Sequence, residues 1–181
     1  SPYITKIKAS GAQALLTANW GPDMNLLIKA GIESGIDLAY YTFYAHLTGG
    51  ATAIGPGGEG KVRSVMSFGE NVAPAIGNAE AEAFTKGFRA KHNFDFAGAV
   101  YRTIFEHVAA AINKAGSVDP TKIAFAMEDQ KMKDFLGYDT WMRKDDHQIM
   151  SAYYVGVFKK GVKYDAEGTG LGWEVAATIL E

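Results

Sequence analysis

The feature that most constrains this chain is a strand-like run, a helical stretch and a second strand-like run packed into its first 43 residues. Ala14-Leu15-Leu16-Thr17-Ala18 is a short apolar run that reads as a buried strand. Met24, Leu27, Ile28, Gly31 and Ile32 then recur at helical spacing, and Gly35 stops that helix. Leu38-Ala39-Tyr40-Tyr41-Thr42-Phe43 is aromatic-rich and reads as the second strand. Strand, helix and strand within about 30 residues make a βαβ unit, whose two strands run parallel through a right-handed crossover. Gly21-Pro22-Asp23 supplies the turn, with Pro22 suited to a helix start. Ahead of the unit, Tyr3, Ile4, Ile7 and Lys8 predict a short amphipathic helix that ends near Gly11.

The remainder extends this α/β pattern and then interrupts it. Ala45 to Gly60 is a Gly- and Ala-rich loop, and Lys61 to Ser67 alternates as a third strand. Asn71 to Gly77 reads as a linker. A helix follows from Ala79 to Lys91. Phe96, Val100, Tyr101, Ile104, Phe105, Val108 and Ile112 form an apolar helical stripe that ends at Gly116. Asp119-Pro120 starts another helix, running through Met127. Strands return at Tyr138–Arg143, Ala152–Phe158 and Trp173–Ile179, so the helical interruption lies between Asn71 and about Lys133.

Composition removes several function classes. With 181 residues, one domain or two small lobes are expected. Lys and Arg total 18 against 20 for Asp and Glu, a net charge of −2, which argues against a nucleic-acid partner. The absence of cysteine excludes disulfides, thiolate metal sites and a cysteine nucleophile. No apolar run approaches the ~20 residues of a membrane span, and the first residues lack a signal-peptide pattern.

Three clusters invite a chemical reading. Gly55-Pro56-Gly57-Gly58-Glu59-Gly60-Lys61-Val62 nearly matches a phosphate loop. Val62 lacks the Mg²⁺-binding hydroxyl, Pro56 removes an N–H, Glu59 repels phosphate, and a strand follows where a helix belongs. It therefore reads as a flexible surface loop. Asp145-Asp146-His147 reads as a solvated turn, because adjacent side chains rarely converge on one ion. Asp165 and Glu167 lack EF-hand spacing and also read as a solvated turn. No nucleophile elbow, HExxH pair or dinucleotide fingerprint occurs. Nothing points positively to an enzyme or to a bound cofactor.

Two strand ends stand out instead. Thr17-Ala18-Asn19-Trp20-Gly21 and Thr42-Phe43-Tyr44-Ala45-His46 place aromatics just beyond two parallel strands. Open α/β sheets bind ligands at that carboxyl edge. Trp20 and Tyr44 are expected to face one crevice, with Asn19 and the Tyr44 hydroxyl as polar tips for a small, partly apolar molecule. The other reading is that Trp20, Phe43 and Tyr44 are ordinary core.

The sequence resembles the solute-binding proteins of branched-chain amino acid ABC transporters. The resemblance is carried by Ile7-Lys8-Ala9-Ser10-Gly11-Ala12 through Ala18-Asn19-Trp20-Gly21-Pro22-Asp23, then Phe43-Tyr44-Ala45 and Ala115-Gly116-Ser117-Val118-Asp119-Pro120. Met142-Arg143-Lys144-Asp145-Asp146-His147-Gln148 and Gly168-Thr169-Gly170-Leu171-Gly172-Trp173 continue it in order. It implies a type I periplasmic-binding-protein-like α/β fold, in which two lobes trap a ligand. Residues 1 to about 70, with about 149 to 181, are then expected in the second lobe, built on a mostly parallel sheet. Residues 72 to 148 are expected as a mainly helical segment of the first lobe, most of which is absent.

The resemblance further implies a non-enzymatic receptor for branched-chain amino acids or related amides and aromatic acids. It would be periplasmic, or extracellular and membrane-anchored through a missing N-terminus, and would work with a membrane permease. Its site would use Asn19, Trp20 and Gly21, then Phe43 and Tyr44, and Tyr101 from the other lobe. Where amino-acid-binding relatives carry a glutamate for the ammonium, this chain has Tyr44, which has a hydroxyl but no charge at neutral pH. Two alternatives are a ligand-sensing domain of a receptor or regulator on the same fold, and an α/β enzyme using the same crevice. The apolar stripe from Phe96 to Ile112, uncovered in a chain of this length, is expected to promote self-association.

Overall fold

The computed structural model describes residues 2–96 and 98–180. Helix α1 (Pro2–Ser10) is followed by β1 (Ala14–Thr17), α2 (Gly21–Glu33) and β2 (Ala39–Thr42), the βαβ unit that the spacing predicts. Gly11 and Gly35 close the two helices at positive φ, where an L side chain would be strained. Helix α2 buries Met24, Ile28 and Gly31 against the sheet, and Tyr40 of β2 lies fully buried beneath it.

The loop after β2 contains a short helix, α3 (Gly50–Ile54), and a 3₁₀ turn at Pro56–Gly58, before β3 (Val62–Met66). The phosphate-loop-like segment is therefore packed rather than flexible. Gly58 is buried against Ile54 and Val62, the Gly60 N–H donates to the Phe158 carbonyl, and Lys61 pairs with Asp37 at 3.1 Å. The expected linker contains α4 (Val72–Ala75), and α5 (Ala79–His92) follows, capped by the Asn78 side chain.

Farther along come α6 (Ala99–Ala115), α7 (Pro120–Met127), β4 (Lys131–Lys133), β5 (Asp139–Met142) and β6 (Ile149–Met150). The chain ends with β7 (Tyr153–Lys160) and β8 (Leu171–Ile179). The main sheet has the order β1-β2-β3-β7-β8. Strands β1, β2 and β3 are parallel, and β7 joins β3 antiparallel.

The chain divides into two compact units. One comprises Ser1–Ala97 and Tyr154–Thr178, the other Gly98–Tyr153 and Ile179–Glu181. The first unit thus includes α4 and α5 beyond β3. Its extension is fastened by specific contacts: Arg89 of α5 donates to Glu70 at 2.8 Å and to the Asp165 carbonyl at 2.5 Å. The rings of Phe68, Phe84 and Phe88 all meet Phe96, with centroids 5.0–5.7 Å away.

In the second unit, α6 packs with Ala99, Thr103, His107 and Ala111 buried, while Tyr101, Ile104 and Phe105 face solvent. A three-stranded antiparallel sheet, β4-β5-β6, completes this unit, and β4 occupies the end of the stretch expected to be helical.

The fold makes one pairing testable. A Cβ on Gly31 would sit 1.9 Å from the Tyr40 hydroxyl oxygen but 3.0 Å from the next ring atom, and that buried hydroxyl has no hydrogen-bond partner among the described residues. Gly31→Ala is expected to cost about 1–3 kcal/mol through overpacking. Tyr40→Phe alone is expected to be neutral or stabilising by up to ~1 kcal/mol, because it removes an unsatisfied polar group. The double variant should recover most of the loss. Equal, additive losses in urea unfolding would contradict this packing.

Candidate functional site

The parallel register fixes the geometry of one sheet edge. Thr17 of β1 lies beside Thr42 of β2, and Thr42 lies beside Ser64 of β3. Strands β1 and β2 end level with each other, while β3 runs on to Met66, so the residues after Thr17 and after Thr42 emerge on the same carboxyl edge. Thr42 ends its strand with its own hydroxyl, which donates to the Arg63 carbonyl at 3.0 Å and accepts from Ala45 N at 3.4 Å. The Thr17 hydroxyl accepts from Asn19 N at 3.1 Å and turns the first loop in the same way.

The aromatic residues on this edge are open to solvent. Trp20 is 72% exposed, Phe43 43% and Tyr44 44%. Trp20 stands at the N-cap of α2 in extended backbone and makes no side-chain cap bond. Gly21 follows at φ 58°, the left-handed region that lets the chain turn sharply into the helix. These rings are therefore not core. Asn19 lines a groove of about 620 Å³ with Tyr3, Ile4, Asp23 and Leu26. Tyr101 lies in the second unit, in the first turn of α6, and is 64% exposed.

Behind the β2 and β3 ends lie residues whose grouping the sequence does not reveal. His46, Glu70, Asp95 and Glu167 line a cavity of about 40 Å³, and three of them border a second of about 60 Å³. Each has room for about one or two waters, not for an amino acid. His46 Nδ1 lies 2.9 Å from the Ser64 hydroxyl, and burial pulls its pKa down to about 4. Glu70 is pushed up to about 7, first by burial and then by the neighbouring Asp95, against the pull of Arg89. Burial also raises Asp95. These groups are far apart in sequence, so no local pattern shows that they meet.

The Asp165–Glu167 segment is not the solvated turn its composition predicts. Asp165 accepts from Gly170 N at 2.5 Å, and Glu167 accepts from Gly49 N at 2.8 Å. The Asp145–His147 run is a turn in which Arg143 pairs with Asp146, and His147 lies 3.6 Å from Glu128. Among the described residues, no three metal-ligating side chains form a group, and no helix is long and apolar enough to cross a membrane.

A family model described as a periplasmic binding protein matches residues 1–163. A Leu/Ile/Val-binding protein homolog 4 of Brucella melitensis is 29% identical over 175 residues, covering 96% of this chain and 42% of that protein. An amino acid binding protein of Pseudomonas aeruginosa is 28% identical over 165 residues, covering 89% of this chain and 42% of that protein. The chain thus spans less than half the length of these relatives. The closed form of a leucine-, isoleucine-, valine-, threonine- and alanine-binding protein from Brucella ovis superposes with a TM-score of 0.84 at 25% identity. That match covers 99% of this chain and 46% of the other. The mixed α/β fold with its parallel-dominant sheet is that of the type I periplasmic binding proteins.

The two buried groups on the cavity oppose each other in pH dependence. Between pH about 4.5 and 7 the folded chain holds a proton on Glu70 that the unfolded chain has lost, so stability falls as pH rises. Between pH about 4 and 6.5 the unfolded chain binds a proton that folded His46 refuses, so stability rises with pH. Relative to the wild type, His46→Asn should make the stability slope between pH 4.5 and 6.5 more negative, and Glu70→Gln more positive. Each change is up to about 1.4 kcal/mol per pH unit. Denaturation across this range checks the signs; slopes that shift the same way in both variants would contradict the assignment.

Proposed function

The chain belongs to the periplasmic binding protein family, and on that footing we propose that it is the substrate-binding component, or part of one, of an ABC importer. Its solutes are branched-chain amino acids or related small amphipathic molecules, including amides and aromatic acids. The observation that carries this reading is the open aromatic edge: Trp20, Phe43 and Tyr44 lie exposed where two parallel strands end side by side. Relatives named for Leu/Ile/Val binding support the aliphatic part of the solute range.

In this reading Asn19, Gly21 and the Tyr44 hydroxyl orient the polar end of the solute, and the rings cover its apolar part. Tyr101 is a further contact. The unit holding β1, β2 and β3 is assigned to the second lobe, and the unit holding α6 and α7 to the first. The protein acts without catalysis or cofactor, in the periplasm or anchored outside the cell, and delivers solute to a membrane permease. Tyr44 offers an ammonium a hydroxyl and a ring face but no full negative charge, which reduces selection for ammonium-bearing solutes relative to a carboxylate there.

Calorimetry of this chain with L-leucine, L-isoleucine, benzamide and benzoate tests the reading. Trp20→Ala and Tyr44→Ala should each weaken the solute that binds by about tenfold, or ~1.4 kcal/mol. Tyr44→Glu should favour leucine over benzoate relative to the wild type. Unchanged affinities in both alanine variants would overturn the site. The exposed face bearing Ile104 and Phe105 is also proposed to self-associate; light scattering at high concentration should show dimers that Phe105→Glu abolishes, and a monomeric wild type would refute this.

A further inference from the structure

We propose that Glu167 is a positioning residue for the solute-contacting loop, fixing from a distant part of the sequence the segment that carries Phe43 and Tyr44. The proposal rests on the solute-binding reading of those rings. The segment leaves the sheet after Thr42 and re-enters regular structure at Gly50. Its middle is anchored by Ala45, which is fully buried. Gly50 lies so close to that residue that a Cβ would come within 2.0 Å of the Ala45 carbonyl oxygen. This contact holds the base of the loop, whereas Tyr44 and Leu47 project outward.

The far end of the loop has no cap of its own. The N-cap residue of α3 is Gly49, at φ 81°, so no local side chain can accept from the first N–H groups of the helix. Glu167 supplies the acceptor. Its Oε1 accepts from Gly49 N at 2.8 Å, and its Oε2 accepts from Thr52 N at 2.7 Å and from the Thr52 hydroxyl at 2.5 Å. A carboxylate receiving three donors in this way is a strong, oriented tie.

Glu167 is itself held on a rigid mount. Its N–H donates to Asp165 Oδ1 at 3.2 Å, and Asp165 Oδ2 accepts from Gly170 N at 2.5 Å. The Asp165 carbonyl accepts from Arg89 at 2.5 Å, and the Asn71 side chain exchanges two bonds with the Tyr164 backbone at 2.8 and 2.9 Å. Helix α5 and the β3–α4 turn therefore hold the backbone of Tyr164 and Asp165, next to the residue whose carboxylate grips Gly49 and Thr52 at the far end of the loop. The loop is ordered when the chain folds, so a solute does not have to order it on binding.

Hydrogen exchange and calorimetry on the full chain test this together. Glu167→Gln puts an amide NH₂ where acceptors are needed. Exchange of the backbone amides in residues 43–52 should speed up at least fivefold while the core strands stay protected, and L-leucine or benzoate should bind at least fivefold more weakly. Glu167→Asp should recover part of both losses. Glu59→Gln, which removes a surface pair with Lys160 at 2.8 Å, should change neither readout. Unchanged exchange in residues 43–52, or an increase spread over the whole unit, overturns the proposal. So does unchanged affinity beside a loosened loop. If the wild type binds neither probe, the solute reading fails on its own, and the exchange pattern alone upholds or overturns the positioning role.

Discussion

Three strands that run in the same direction, side by side and in register, deliver their C-terminal ends to one edge, and every functional statement about this chain depends on that alignment. The cause is the short βαβ crossover: α2 must bury Met24 and Ile28 over the sheet, and it can do so only if the chain returns parallel to β1. Had β2 returned antiparallel, Trp20 and Tyr44 would lie at opposite ends of the sheet. Threonine hydroxyls at the strand ends, Thr17 and Thr42, then bend the chain away by accepting from Asn19 N and Ala45 N in the loops that follow. The edge is thus shaped by backbone accounting before any side chain meets a ligand.

Behind the edge, the polar groups serve stability and stiffness. Glu70 and Asp95 are buried close enough to repel each other, yet Arg89 stays within 2.8 Å of Glu70, so the site combines an ion pair with a carboxylate pushed up to about 7. Such an arrangement is a weak source of net stability, because desolvation offsets much of the attraction. Its structural effect is to tie α5 to the β7–β8 loop, and so to the mount of Glu167.

The βαβ unit, its glycine stops and the helix start at Asp119-Pro120 are legible in the sequence because each rests on local rules: apolar spacing, φ at glycine and a proline at the first turn. The open aromatic edge is legible for the same reason, as it follows from where two strands end. What is not legible depends on distant partners. Glu167 looks like one acid in a glycine-rich turn until the fold brings Gly49 to it from 118 positions away. The α6 stripe shows a different limit. Periodicity identifies residues that share a face, but not whether anything covers that face; here the covered side is Ala99, Thr103, His107 and Ala111.

The exposure of the edge rings is informative because of what surrounds them. Single exposed apolar side chains are ordinary on any protein surface. Here three aromatics stand on two neighbouring loops, one turned by a glycine at positive φ and the other tied down by a carboxylate and a close glycine contact. A Trp ring that is covered on binding contributes roughly 25 cal/mol per Å² of apolar surface removed from water, which for most of an indole amounts to a few kcal/mol. Folding leaves that contribution unused, while hydrogen bonds from Glu167 and the close Gly50–Ala45 contact tie the second loop. A surface evolved only to stay soluble has no need of stiff loops beneath bare rings. A surface that must meet the same small molecule repeatedly needs both, since rigidity lowers the ordering cost and the open rings supply the affinity.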